Sequence, residues 1–478
     1  MINQEKNVGF AFLTAAKKYP DLLAIICDGI AINYENLSDI TRAFAGKMRQ
    51  QGVGQKSVVV VDTQDVIVAT ASALATALLG ARWVSQNSIP VLADILEPTH
   101  WFQSPEMPVI DGFIRIDNGW FTAPRNTDFQ GYVSPDAPWL YVSTSGTTGK
   151  AKLIAVGQGI TYDRSLIVSD DFVSRETVFC CLFNCVAFPF LTRAFATFLN
   201  GCTLVYGNAP GLWQKAGVNL VMGSPRQARA LKLDQSHTPK IRELHLAGSK
   251  LPDELATSLL GRFERVVDLY AATESNRSFK NIKSLTKDGS LVTTGQKLDS
   301  TIEILAPDGG VCSAGEEGVI RVKNDYLVEG YVNNPEAESE SFKDGWFYPG
   351  DRGRWGQNGQ LEVLGRTDDV INLSGVKFNG ADVDRVLESV DGISDAICFK
   401  SPMQDEPDTL IAFVVIKAGH DPKTCLNDVK AAALSALTGS QIPRKVIEVS
   451  TLPKGQKGGT LRWMCQDIYA GKDAQGPK

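Results

Sequence analysis

Histidine, paired cysteine and long apolar runs are scarce in this 478-residue sequence, and each scarcity excludes a class of protein. The four histidines lie far apart in the chain and no CxxC pair is present, so a structural zinc site has little support. Nine cysteines are scattered through apolar segments without a regular spacing. Their distribution excludes a disulfide framework and predicts buried free thiols in a reducing compartment.

Charge of one sign is not concentrated either, because 48 Lys and Arg residues oppose 54 Asp and Glu residues without long blocks. We therefore expect no nucleic-acid partner. A membrane span needs about 20 mostly apolar residues. The uncharged stretch 194–214 is broken by Asn-Gly and Pro-Gly pairs, and 66–81 is shorter, so both are expected to be core elements. Without a signal-like apolar start, the sequence predicts a cytoplasmic protein with no membrane span.

Short β-branched runs alternate with helix-like stretches over the first 300 residues. The runs 57–61, 202–206 and 266–269 are typical of strands that are buried on both faces. Their alternation with stretches such as 65–79 predicts an α/β layered body. Beyond residue 300, short strands separated by Asp-Gly and Asn-Gly turns predict a small β-rich subdomain, and a helix, strand, strand, helix pattern predicts an α+β tail.

The segment richest in chemistry is a loop of hydroxyls, glycines and lysines after a predicted strand. It reads Ser143-Thr144-Ser145-Gly146-Thr147-Thr148-Gly149-Lys150-Ala151-Lys152. Its backbone N–H groups, hydroxyls and ammonium groups suit a polyphosphate. It is not a Walker A loop, because Thr144 stands where the first glycine belongs. Composition alone leaves a second interpretation open, a flexible Ser/Thr/Gly linker.

The order of residues in this loop resembles the phosphate-binding signature of the acyl-adenylate-forming superfamily, which contains acyl-CoA synthetases, peptide-synthetase adenylation domains and luciferases. Further segments similar to the family's motifs follow in the family's order, and this succession is more specific than any one motif. They are Leu246-Ala247-Gly248-Ser249-Lys250-Leu251, Asp268-Leu269-Tyr270-Ala271-Ala272-Thr273-Glu274, Gly330-Tyr331, Gly345-Trp346-Phe347-Tyr348-Pro349-Gly350-Asp351, Gly365-Arg366-Thr367-Asp368, Ile442-Pro443 and Leu452-Pro453-Lys454.

The resemblance implies an α/β fold with a large layered N-terminal domain that ends in a small β-rich subdomain, followed by a small mobile α+β C-terminal domain. We place the N-terminal domain at 1–367, its β-rich subdomain at about 300–365, and the C-terminal domain at 368–478. Asp368 is then the hinge about which the small domain rotates between an adenylating and a thioester-forming state.

The resemblance also implies an AMP-forming acid–thiol ligase that uses ATP and Mg²⁺. A small-molecule carboxylic acid attacks the α-phosphate, and the resulting acyl-adenylate passes its acyl group to coenzyme A or to the phosphopantetheine of an acyl or peptidyl carrier protein. Because a carboxylate is already a nucleophile, the protein has mainly to position groups and neutralise charge.

Roles for the phosphate-binding residues follow from the resemblance. Thr273 contacts the α-phosphate, and Glu274 binds Mg²⁺, a hard cation that prefers carboxylate and phosphate oxygens. A Thr-Glu pair by itself is usually only a polar loop, and its place after Asp268-Leu269-Tyr270 favours the functional interpretation. The residues that hold the β- and γ-phosphates are Thr144, Ser145, Gly146, Thr147, Thr148 and Lys152.

Roles for the adenosine-binding residues follow in the same way. Tyr270 offers a flat face to the purine, and Asp268 accepts from its amino group. Asp351 accepts from both ribose hydroxyls, and Arg366 reaches the ribose or the phosphates. The other interpretations are a core tyrosine at Tyr270, a strand-end cap at Asp268 and a turn aspartate at Asp351. The implied set is Gly248, Ser249, Asp268, Tyr270, Ala272, Asp351 and Arg366.

One position departs from the family pattern, because Gly459 stands where the catalytic lysine of the final motif is expected. Lys457 lies two residues away in a glycine-flanked loop. It either brings its ammonium to the reacting groups or is a solvated surface charge. The departure leaves two rivals: a thioester-forming half-enzyme that takes a preformed acyl-adenylate, and a non-catalytic AMP- or adenylate-binding protein. The retained Glu274 and Asp351 argue against the second rival.

The acyl pocket is expected to take part of its wall from residues 179–199, which are largely apolar. Such a lining suits an aromatic or aliphatic acid. Asn184 interrupts the apolar run and is a substrate-binding candidate. It either contacts a substrate hydroxyl or caps a loop.

Overall fold

The chain divides into two compact units in the computed structural model, which describes residues 6–85, 95–125, 129, 134–144, 152–172, 174–231, 240–367, 369–373, 375–403, 409–454 and 460–471. Unit 1 contains the described residues of 6–144, Lys152–Thr301 and Lys323–Phe342. Unit 2 contains Ile302–Val322 and the described residues of 343–471. The boundary between 367 and 368 stays a prediction, and Asp368 lies outside the described residues.

Unit 1 alternates strands and helices along the chain. Its strands are β1 (Leu23–Cys27), β2 (Ile30–Asn33), β3 (Val58–Asp62), β4 (Arg82–Ser85), β5 (His100–Gln103), β6 (Ile114–Arg115), β7 (Pro138–Thr144), β8 (Lys152–Gly157), β9 (Val178–Cys181), β10 (Thr203–Tyr206), β11 (Leu220–Gly223), β12 (Ile241–Ala247), β13 (Phe263–Ala272), β14 (Asn276–Leu285) and β15 (Leu291–Lys297). Its α-helices are α1 (Val8–Lys18), α2 (Tyr34–Gln50), α3 (Val66–Leu79), α4 (Asn118–Phe121), α5 (Gln158–Ile167), α6 (Phe188–Leu199), α7 (Pro210–Ala216), α8 (Pro225–Arg229), α9 (Asp253–Leu260) and α10 (Pro335–Ser341), and Ser169–Asp171 is a 3₁₀ turn.

These strands form two sheets. The nine-stranded sheet has the order β15-β14-β13-β12-β11-β9-β10-β1-β2, and its strands from β13 to β1 are parallel. The six-stranded sheet has the order β6-β5-β3-β4-β7-β8, with β8 antiparallel to β7. Every residue of β3 is buried, as expected for an apolar run inside a layered parallel sheet. The predicted α/β layered body is confirmed.

Helix α3 explains why an uncharged run of near-membrane length occurs in this chain, because every one of its residues is buried. The Asp65 carboxylate accepts from the N–H groups of Ile67 and Val68 at its start, and Gly80 ends it with φ 68°. The run is a core element, as predicted. No helix among the described residues has the length and apolar character that crossing a membrane requires. All nine cysteines are buried free thiols, which confirms that part of the prediction for the cysteines.

Unit 2 combines a β-rich part with an α+β part, in agreement with the predicted fold class. Its strands are β16 (Thr301–Leu305), β17 (Gly318–Lys323), β18 (Phe342–Lys343), β19 (Trp346–Phe347), β20 (Asp351–Trp355), β21 (Leu361–Arg366), β22 (Val370–Leu373), β23 (Val376–Asn379), β24 (Ile393–Lys400), β25 (Leu410–Ile416) and β26 (Lys445–Glu448). Its helices are α11 (Gly380–Glu388), α12 (Pro422–Ala436) and α13 (Arg462–Tyr469), with a 3₁₀ turn at Gly439–Gln441. Helices α11 and α12 share an apolar core with the β24-β25-β26 sheet.

Candidate functional site

The two strands that flank the hydroxyl-rich loop hold its ends together. Thr144 at the end of β7 and Lys152 at the start of β8 are register partners in an antiparallel pair. Thr144 is 4% exposed, and its hydroxyl donates to the Lys152 carbonyl at 3.5 Å. The loop residues Ser145, Gly146, Thr147 and Thr148 lie outside the described residues, so their phosphate-binding role stays a prediction.

A tyrosine connects Lys152 with the predicted metal ligand Glu274. The Lys152 ammonium lies 4.6 Å from the ring centroid of Tyr331, in a cation–π contact. The Tyr331 hydroxyl donates to Glu274 Oε1 at 2.9 Å. Glu274 is 7% exposed, and its Oε2 has no hydrogen-bond partner among the described residues. An acceptor oxygen of this kind fits a hard divalent cation such as Mg²⁺.

The turn that carries Thr273 and Glu274 is held from beneath by Arg164, a residue that the sequence motifs did not indicate. The turn joins β13 to β14, and Asn276 after it has φ 60°. Arg164 is 1% exposed and donates to the carbonyls of Thr273 at 3.0 Å and Glu274 at 2.8 Å. It also donates to the Tyr326 carbonyl at 2.5 Å and 3.1 Å.

One sequence signal does point to Arg164 in retrospect. The buried face of α5 carries the polar residues Gln158, Thr161, Arg164 and Ser165, at the spacing that an amphipathic helix normally gives to apolar side chains. A helix with polar residues at those positions buries hydrogen-bonding groups that need partners. The partners of Arg164 are main-chain carbonyls more than 100 residues away in the chain, so their identity has no local signature.

Several predicted adenosine ligands lie at the carboxyl edge of the nine-stranded sheet, where open α/β sheets bind ligands. Gly248, with φ 97°, and Ser249 directly follow β12, and both are exposed. Tyr270 and Ala272 lie at the end of the neighbouring strand β13 and are partly buried. Asn184 follows β9 in the same sheet. The parallel register of these strands gathers the three segments along one edge.

Asp268 differs from an ordinary surface carboxylate. It is the register partner of Leu246 in β12 and is partly buried. Burial raises the pKa of Asp268 to about 7, although Lys283 and Lys250 favour its charged form. Its side chain therefore changes protonation state near neutral pH, which is unusual for an aspartate that is expected to accept from a purine amino group.

Asp351 and Arg366 are brought together within unit 2. They are register partners on β20 and β21, and Arg366 Nη1 lies 3.0 Å from Asp351 Oδ1. Gly350 has φ 79°, and a Cβ there would lie 2.7 Å from Arg366 Nη2. Only glycine suits this position, because it permits both the backbone conformation and the close approach of the guanidinium.

Asn184 already has a local hydrogen-bond partner. Its Oδ1 accepts from the Val186 N–H at 3.0 Å, which is the geometry of a loop cap. The side chain is exposed and lines a recess of about 50 Å³ with Asp62, Thr63 and Gln64. Its substrate-binding role stays a prediction.

Lys457 and Gly459 lie outside the described residues, but the segments on either side are anchored. Lys454 donates to the Thr460 hydroxyl at 2.6 Å, and the Leu461 N–H donates to the Pro453 carbonyl at 2.9 Å. Arg462 lies 3.2 Å from Asp369 and 2.7 Å from Asp384. The first two bonds place Lys454 and Thr460, the described residues on either side of 455–459, next to each other.

A family model described as AMP-binding enzyme matches residues 104–332. A probable CoA ligase of Humulus lupulus, CCL9, is 27% identical over 241 residues, which cover 49% of this chain and 45% of that protein. A dimodular nonribosomal peptide synthase of Bacillus subtilis is 22% identical over 92% of this chain and 20% of that protein. The matches thus span about half or less of these curated relatives.

A solved structure resembles the fold over nearly its whole length. The Bacillus subtilis o-succinylbenzoate coenzyme A synthetase MenE, in complex with ATP and a magnesium ion, has a TM-score of 0.81 and 22% identity over 95% of this chain and 98% of that chain. At this identity the likeness shows the fold alone. The family model, which matches slightly less than half of the chain, and the related sequences show that the chain resembles AMP-binding enzymes.

Proposed function

We propose that this protein is an ATP- and Mg²⁺-dependent acid–thiol ligase that forms an acyl-adenylate and transfers the acyl group to a thiol. The observation that supports it most directly is the contact series from Lys152 through Tyr331 to Glu274. This series links the end of the hydroxyl-rich loop to a buried carboxylate whose second oxygen has no partner among the described residues. A cationic group and a hard-metal ligand are the two parts that charge neutralisation of a triphosphate requires.

The proposed reaction asks the protein for positioning rather than for proton transfer. Lys152, with Thr144 and the loop between them, holds the β- and γ-phosphates. Thr273 orients the α-phosphate toward the acid, and Glu274 holds Mg²⁺. When bound, this ion neutralises charge on the phosphate oxygens. The backbone of the Thr273–Glu274 turn is fixed before the nucleotide arrives, so little reorganisation is needed at the moment of reaction.

The adenosine part is proposed to be held by the remaining predicted ligands. Tyr270 stacks on the purine, Asp268 accepts from its amino group, and Gly248 and Ser249 approach it with their backbone. Asp351 accepts from the ribose hydroxyls, with Arg366 beside it. The ion pair between these two residues orients the carboxylate.

The acceptor is proposed to be coenzyme A or a phosphopantetheinyl carrier protein, and the acid to be a small carboxylic acid. One relative is named as a CoA ligase and another is a peptide synthase, which supports both acceptors. A cytoplasmic location agrees with free thiols that stay reduced. The comparisons do not support the half-enzyme alternative.

The experiment that tests the function measures pyrophosphate release with ATP, Mg²⁺ and a panel of carboxylic acids, followed by thioester formation with coenzyme A. At least one acid is expected to release pyrophosphate. If no acid releases pyrophosphate but a synthetic acyl-adenylate rapidly gives a thioester, the protein is instead a thioester-forming half-enzyme. Tight AMP binding without either half-reaction would instead favour a non-catalytic binding protein.

A separate experiment tests whether Lys457 replaces the lysine that is missing at position 459. If Lys457 replaces the missing lysine, Lys457→Ala lowers the rate of adenylation by about tenfold or more, because a cation near the reacting carboxylate and phosphate is lost. Thioester formation from a supplied acyl-adenylate should stay at the parent rate, which is the internal control. An unchanged adenylation rate would make Lys457 a surface charge.

A further inference from the structure

The two carbonyls that Arg164 binds are consecutive in the chain, and this arrangement has a directional consequence. The carbonyls of Thr273 and Glu274 both accept from one guanidinium. In a planar trans peptide the N–H group points opposite to the carbonyl. The N–H groups of Glu274 and Ser275 therefore point away from Arg164, toward the other side of the turn.

Those two N–H groups are available for a ligand. Neither Glu274 nor Ser275 donates its backbone N–H to an acceptor among the residues that the structure describes. Both residues are nearly buried, at 7% and 2% exposure. Buried amide donors are almost always paired in folded proteins. A pair that lacks acceptors beside the predicted α-phosphate ligand Thr273 is suited to bind an anion.

The charge of Arg164 adds to the same effect. The guanidinium has main-chain carbonyls as its hydrogen-bond partners, and no carboxylate oxygen contacts it among the described residues. Burial lowers the pKa of Arg164 to about 10, opposed by the nearby charge of Glu274, so the group is still a cation at neutral pH. A buried cation behind two aligned peptide dipoles makes the far side of the turn electropositive.

We propose that Arg164 is a positioning residue that holds the Thr273–Ser275 turn so that the N–H groups of Glu274 and Ser275 bind the α-phosphate of the nucleotide. This inference rests on the proposed function, since it names further donors of the same site. It assigns to the main chain of Glu274 and Ser275 a share of the binding that the motif resemblance gave to Thr273. Arg164 itself does not touch the ligand.

The test compares two ligands that differ only in the α-phosphate. Calorimetry measures the affinity of the full-length chain for AMP and for adenosine, in the parent and in Arg164→Lys. Lysine keeps the charge but loses the planar fork that binds two carbonyls at once. We expect the AMP affinity to fall about tenfold while the adenosine affinity changes less than about twofold. Arg193→Lys, at another buried arginine that binds Asp171 instead, should leave both affinities at the parent values.

The outcomes separate this inference from the proposed function. A parent protein that binds neither AMP nor ATP overturns the proposed function, and the role of Arg164 with it. A parent that binds AMP, with an unchanged ratio of AMP to adenosine affinity in Arg164→Lys, overturns the role of Arg164 alone. Equal losses for both ligands do so too, because they indicate a general loosening of the site.

A second measurement needs no variant and covers the case in which Arg164→Lys does not fold. Hydrogen exchange of the parent chain is followed at the amides of Glu274 and Ser275 with saturating AMP and with saturating adenosine. AMP should slow exchange at both amides by about tenfold or more relative to adenosine, because each N–H gains an acceptor. Equal exchange rates with the two ligands would overturn the proposal.

Discussion

Each unit contains a network of charges, which is buried in unit 1 and partly buried in unit 2, and the two networks have opposite composition. In unit 1 three cations bind the buried carboxylate of Asp171, and two of them also pair with the more exposed Asp170. In unit 2 a single cation, Arg462, is bound by two carboxylates. Asp171 and Arg462 are each the central residue of their network, because the removal of either one leaves like charges close together.

The difference in sign affects how each network responds to pH. Burial would raise the pKa of Asp171, but His245 and the surrounding cations hold it well below its usual range. For Asp384 burial outweighs Arg462, and its pKa is raised. The network with surplus cations therefore cannot relieve a lost partner by changing protonation near neutrality, whereas the network with surplus carboxylates can take up a proton.

The largest loss of stability is expected from Asp171→Asn. The change leaves Arg193, Arg277 and Lys280, which are 4% to 7% exposed, without their shared carboxylate. We expect a loss of about 3 to 5 kcal/mol in the free energy of unfolding of unit 1, measured by urea denaturation of the full-length chain at pH 7. The adjacent Asp170→Asn is the matched control, because that side chain is 49% exposed and should lose less than about 1 kcal/mol. Equal losses at the two positions would contradict this ranking.

A smaller, pH-dependent loss is expected from Arg462→Met. At pH 8 the partly buried Asp384 and the nearby Asp369 lose their common cation, and we expect a cost of about 2 to 4 kcal/mol. Without the arginine the pKa of Asp384 rises further, so the residue takes up a proton more readily at pH 5 than at pH 8 and the cost decreases. Denaturation of the variant and the parent at both pH values checks this. An equal loss at pH 5 and pH 8 would show that Arg462 contributes to the free energy of unfolding through packing and not through its charge.

Asp268 sharpens the comparison, because burial raises its pKa more than the neighbouring Lys283 and Lys250 lower it. Its pKa of about 7 in the folded chain exceeds that of an unfolded aspartate, about 3.9. The folded state therefore binds more protons between these values, and stability decreases as pH rises from about 4 to 7. Asp268→Asn should abolish this decrease and raise the melting temperature relative to the parent by about 2 to 6 °C at pH 8, with a smaller difference at pH 5. A difference that is independent of pH would contradict the raised pKa.

The smallest effect on stability is expected from Asp351→Ala, although its effect on binding is large. The ion pair with Arg366 is partly exposed, so its loss should cost less than about 1 kcal/mol and leave the thermal transition almost unchanged. ATP affinity should fall by about tenfold or more if the carboxylate binds the ribose. Calorimetry with ATP checks this. Equal affinity in the variant and the parent would remove Asp351 from the proposed site.

The outline of the fold was predictable because its signals are local. The apolar run of β3 and the capped, uncharged α3 have periodicity and end signals that lie within a few residues of one another. The order of the family's motifs likewise led to Glu274 and Asp351. What the sequence could not indicate is which buried polar groups meet. Arg164 binds a turn that lies more than 100 residues away, and the partners of Asp171 come from two different elements, α6 and β14.

The nine buried thiols give the protein an internal reporter of opening. A thiol reagent reacts with a buried cysteine only when the structure around it opens, and five of these residues belong to unit 1 while four belong to unit 2. Mass spectrometry of alkylated peptides would therefore measure the rate at which each unit opens, separately and in one sample. The unmodified chain already carries the labels that such a kinetic experiment usually has to introduce by mutation.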